Sequence, residues 1–262
     1  MDLGNFQAAI RDTEEACQLH AALAADTRTD LRARYAQLRA TQGVVLDVAG
    51  LGGEALVHFD ESIADLQQLA EAGRQDAELS LAQALMNRGF ARINLGEIGA
   101  AMQDEERALA ILRRRSPNDR RTKGFIAHTL LNIAEAQFRQ GRRAESHELQ
   151  TQGEALFQEL ASAGVPCQAI LLRKFTRAAV YWASADLEFA CRLLASASTI
   201  LADAISKSSG SEGIAIEADR AWKQVEEGIE QLGALPAGRE ALDKVRDLVK
   251  NCQIIDEAKM NT

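Results

Sequence analysis

The chain of 262 residues has three prolines, no excess of basic side chains, and no stretch of about 18 uninterrupted apolar residues. Each shortage excludes something. The formal charge of -8 argues against a general affinity for nucleic acid, which needs a basic footprint to displace counterions. Without a long apolar run, no membrane span is expected. The opening "MDLGNFQAAIRDTEEACQ" has no basic segment followed by an apolar run, so no signal peptide is expected either. Cys17, Cys167, Cys191 and Cys252 are too dispersed for a zinc or dithiol motif. They read as reduced thiols, and the expected compartment is the cytoplasm.

What is present favours helix: Ala, Leu, Glu, Gln and Arg are abundant, and the few prolines do not interrupt long segments. A repeat then organises the whole chain. "NRGFARINLGEIGAAMQD" begins at Asn87, and "NIAEAQFRQGRRAESHEL" follows 45 residues later at Asn132. Asn87, Gly89, Ala91, Gly96 and Ala101 are answered by Asn132, Ala134, Ala136, Gly141 and Ser146.

Small residues at these intervals suit two antiparallel helices. Gly89, Ala91 and Ala101 would lie where the axes approach closely, and Gly96 would be the left-handed residue that ends the first helix. Upstream, Gly52, Asp60 and Ala64 stand at the offsets of Gly96, Asp104 and Ala108, and downstream Ala185 takes the turn position. "GVVLDV" at 43–48 has the β-branched residues of a strand, but the period places it at the end of a helix. Helix ends are expected at 24–30, 71–76, 115–122, 162–166 and 206–213, with Pro117 and Pro166 just beyond them.

This pattern resembles the tetratricopeptide repeat, in a variant with a period of 44 to 46 residues where the common form has about 34. The resemblance implies an all-α, right-handed α-solenoid of about five helical hairpins. Residues 1–210 would form the repeat array, beginning with the second helix of a repeat at 3–16. Residues 211–262 would form a divergent capping pair. The missing first helix points to an upstream segment, a second copy or another protein over that face.

No nucleophile, base or metal-ligand set converges in the sequence, so neither catalysis, a cofactor nor a metal is expected. Cys17 and His20 could supply only half of a metal site. The acidic run Asp104–Glu106 reads as a solvated helix face.

The resemblance also implies where a partner would bind, since first helices line the concave side of such arrays. One repeat would contribute Gln83, Met86, Asn87, Phe90, Ile93 and Asn94. The next would contribute His128, Leu131, Asn132, Glu135, Phe138 and Arg139, and a third Phe175, Thr176, Ala179 and Trp182. An Asn side chain can donate and accept at once, so Asn87 and Asn132 could hold a peptide backbone or a bond between helices. Ile93, Phe138 and Trp182 share one repeat position and could form an apolar stripe for an amphipathic helix, or pack between repeats. Arg113, Arg114, Arg115, Arg120, Arg121 and Lys123 make a basic cluster, joined by Arg142 and Arg143 if the two turns lie close. Such a patch would dock an acidic or phosphate-bearing partner. The expected function is thus a protein-interaction scaffold for a peptide or partner helix. The rival readings are the sensor portion of a larger signalling protein, or docking through the basic turns.

Overall fold

The structure, a computed structural model, describes residues 8, 10–16, 18, 29–115, 119–163, 168–186, 188–190, 192, 193 and 196. All regular structure among them is helical. The chain divides into two compact units, Met1–Glu159 and Leu160–Thr262.

In the first unit, helices α1 (Thr29–Val48), α2 (Gly52–Glu71), α3 (Gln75–Leu95), α4 (Ile98–Arg115) and α5 (Arg120–Arg139) follow one another at short intervals of sequence, and α6 (Arg143–Ser162) begins there. Residues 43–48, with their β-branched side chains, are the last turns of α1. From α1 to α5, each helix packs on the next, and α3 also packs on both α1 and α5. Hydrogen bonds give the register. Asn94 on α3 reaches Asp47 on α1, and Arg139 on α5 reaches the Ile93 carbonyl on α3, at separations of 47 and 46 residues. Successive first helices therefore run parallel, one period apart.

Local chemistry explains the ends. Gly50, Gly96 and Gly141 adopt φ of 83°, 81° and 80°, a left-handed backbone that side-chain-bearing residues rarely enter. At Gly96 the backbone N–H bonds to Ile93 and that of Glu97 to Arg92, so the last carbonyls of α3 find donors. Asp119 opens α5 by accepting from the backbone N–H and the hydroxyl of Thr122, each at 2.9 Å. Those bonds hold its carboxyl below the usual range.

The position of Gly50 corrects the expected register of the first hairpin. The left-handed glycine is two residues before Gly52, which is already helical. The small residue matching Ala108 is accordingly Ser62, fully buried and donating to the Ala36 carbonyl at 2.6 Å, whereas Ala64 is exposed. Three glycines stand within four residues in "GLGG", and only the turn identifies the structural one.

With that register the hairpins superimpose in sequence. Gly43 faces Phe59 and Gly89 faces Glu105, and the residues at the same two repeat positions in the next hairpin are Ala134 and Gln150, at steps of 46 and then 45 residues. A Cβ on Gly43 would come within 2.8 Å of the Phe59 ring, and one on Gly89 within 2.7 Å of Glu105 Oε1. Ala36, Ala82 and Ala127 are likewise buried at one position. Larger side chains fill the remaining space: Phe59, Leu66, Leu85 and Leu112 are fully buried, each contributing about 2 kcal/mol. Residues 10–16 are helical, and Ile10 packs against this core. Gly4 and the rest of the expected partnerless helix lie outside the described residues.

In the second unit, α7 (Gln168–Trp182) buries Leu171, Phe175, Ala178, Ala179 and Trp182, an apolar stripe at helical spacing. The expected turn follows at 183–185, where the Ala185 N–H bonds to Trp182 without a left-handed residue. Phe189 stands edge-on to Trp182 at 4.8 Å. The capping pair expected at 211–262 lies outside the described residues.

Candidate partner-binding site

The first unit contains a cleft of about 740 Å³ between α1 and α3, bordered also by Arg115 at the end of α4 and Arg121 at the start of α5. Gln37, Thr41 and Val44 come from α1, and Asp76, Ser80, Gln83 and Asn87 from α3, while Arg115 and Arg121 stand at the corner. The helix period puts Ser80, Gln83 and Asn87 on one face. Gln37 donates to Ser80 at 2.7 Å across the gap. No described residue bonds the side-chain amide of Gln83 or Asn87.

Thus Asn87 and Arg121, expected in two separate surfaces, line one cavity. The other groove residues divide. Ile93 is 0% exposed and Trp182 3%, so two members of the apolar stripe are core and only Phe138 is half-buried. An apolar residue at a regular repeat position satisfies the contact between neighbouring helices first, and these two do so. Met86, Leu131, Phe175, Thr176 and Ala179 are buried as well. Asn132 is fully buried and donates to Glu105 at 2.7 Å, and the buried Glu135 accepts from Arg139 at 2.8 Å. Asn94 is exposed and bonded to Asp47, while Phe90 and His128 are half-buried.

The basic cluster is also divided. Arg113, Arg114 and Arg120 are exposed at the α4–α5 corner, but Arg142 and Arg143 lie beyond the far end of α5. A helix of 20 residues separates the two turns by roughly 30 Å, so they form no common patch. Arg115 donates to the Gln75 carbonyl and pairs with Glu78 at 3.7 Å, and Lys123 pairs with Glu159 at 2.6 Å. Arg121 lies over the Phe125 ring at 5.7 Å.

The acidic run on α4 is not a solvated face. Asp104 is buried, takes two hydrogen bonds from Arg88 at 2.5 and 2.9 Å, and takes a third from Arg92 at 2.6 Å. Burial opposes the Arg88 charge, but hydrogen bonding and attraction from Asp104, then from Asp60, outweigh it and raise its pKa. Glu105 is also buried, and only Glu106 is exposed. This cluster ties α3 to α4.

Gln37, Thr41 and Ser80 were not expected at the site. Gln37 had a visible signal, since it stands 46 residues before Gln83. The corrected register was needed to use it.

A scan against protein-family models and a search of curated proteins returned no match. In structure the chain is similar to BtubC (BKLC) from P. vanneervenii, with a TM-score of 0.60 over 98% of this chain and 92% of that one. The two sequences are 15% identical, so the likeness establishes the helical fold and leaves the function to be argued from the site.

Proposed function

We propose that the chain is a non-catalytic interaction scaffold of the tetratricopeptide type, holding a segment of another protein in the cavity between α1 and α3. The observation that carries this reading is the pair of amides on Gln83 and Asn87, which line the cavity with no bond to any described residue. Both side chains are partly exposed, so their amides are open to a ligand, and a peptide backbone engages the donor and the acceptor of an amide together. The repeat period, the left-handed glycines and the parallel first helices support the tetratricopeptide assignment. The wide spacing of the four cysteines supports a reducing compartment, which we take to be the cytoplasm.

A photo-crosslinking residue at position 83 tests this in cells, with position 103 on the exposed face of α4 as control. Adducts with another protein from position 83 alone are expected. Adducts from neither position, or equally from both, would refute the scaffold reading.

A further inference from the structure

The cavity's chemistry specifies its occupant more narrowly than the scaffold reading, on which this inference rests. The wall is mainly polar, with Ala40, Val44, Leu79 and Ala84 as its apolar members: Gln37 and Ser80 bond each other and Thr41 bonds the Gln37 carbonyl, which leaves the amides of Gln83 and Asn87 to meet a backbone. An amphipathic helix would need a row of apolar anchors instead, and Ile93 is packed away in the core.

The corner end is basic. Asp76, the acidic lining residue, is held by two hydrogen bonds from Arg74 at 3.1 and 2.6 Å. Arg115 is engaged with Glu78 and the Gln75 carbonyl, and Asp119 is committed to capping α5. Arg121 has no carboxylate within ion-pair distance among the described residues, and its guanidinium is backed by Phe125. Exposed Arg113, Arg114 and Arg120 share this corner. Residues 113–123 carry six cations against one acid in a chain of charge -8. A single chain-terminal carboxylate would match one cation, whereas an acidic stretch matches Arg121 and the arginines beside it.

We propose that the cavity takes an extended, internal segment of a partner protein whose backbone bonds Gln83 and Asn87 and whose acidic side chain pairs with Arg121. The amides read the backbone and the guanidinium selects the charge.

The test selects random 12-residue segments, inserted in a carrier loop so that neither end is free, for binding to the full-length chain. Enriched segments are expected to contain Asp or Glu and to weaken about tenfold with Arg121→Gln, and to weaken also with Gln83→Leu. Arg121→Lys should recover part of the loss, and Arg120→Gln should cost less than Arg121→Gln. Circular dichroism and melting verify that each variant is folded. Acid-free segments that depend on Gln83 and ignore Arg121 would overturn this inference and preserve the scaffold reading. Equal losses from Arg120→Gln and Arg121→Gln would overturn the assignment to Arg121. Segments indifferent to both positions, or no enrichment at all, would count against both proposals.

Discussion

Asn132 on α5 donates its side-chain amide to Glu105 on α4 across 2.7 Å, and both residues are fully buried. The bond joins the second hairpin to the third. Asn132→Leu removes a donor from a buried carboxyl and should destabilise the protein by about 3 kcal/mol. Adding Glu105→Leu should recover part of that loss, because no buried polar group is then stranded. Urea unfolding of the two single variants and the double variant measures the coupling.

The same carboxyl fixes what can stand opposite it. Gly89→Ala would bring a methyl to within 2.7 Å of Glu105 Oε1 and should cost about 2 kcal/mol. Gly99, also helical, has nothing within 4 Å of the corresponding position, so Gly99→Ala should gain about 0.5 kcal/mol. Opposite shifts in melting temperature are expected; a shared sign would contradict the close approach.

Ile93→Ala and Trp182→Ala each empty a packed site and should cost about 3–4 kcal/mol. The two lie in separate compact units. Limited proteolysis before and after each substitution should therefore show loosening in the unit that carries it. Unchanged melting would return these side chains to the surface.

Asp119 gives the α5 corner a pH dependence. Its folded pKa is lowered, chiefly by the Thr122 backbone N–H, so its stabilisation is fully present above the unfolded value of about 3.9. It is lost as pH falls through the lower folded value. Asp119→Ala should melt below the wild type at pH 7, and the gap should close in acid. Thermal melts at pH 7, 4 and 2.5 would show it; a gap that widened in acid would reverse the sign.

Several of these features were legible from residues alone. Gly96 and Gly141 announce helix ends because a left-handed backbone is a local requirement that little but glycine meets. The break near 71–76 rests on the left-handed Gly73 and the one near 115–122 on the capping Asp119, both equally local effects. Gly50 was missed for Gly52 because spacing identifies candidates and packing chooses among them. The acidic run on α4 was misread because charge suggests solvent until Arg88, 16 residues earlier, is seen folded back onto Asp104.

The sequence by itself determined the helices, their breaks and the period, since each rests on propensity and backbone geometry within a few residues. The tertiary structure decided which polar side chains are spent within the fold and which line the cavity. Asn87 and Asn132 occupy the same repeat position, yet Asn132 is consumed by Glu105 and Asn87 lines a cavity. One repeat earlier the residue matching Glu105 is Phe59, which offers no hydrogen bond. Identical letters thus acquire different roles because a hydrogen bond needs its other half, and only folding brings that half within reach.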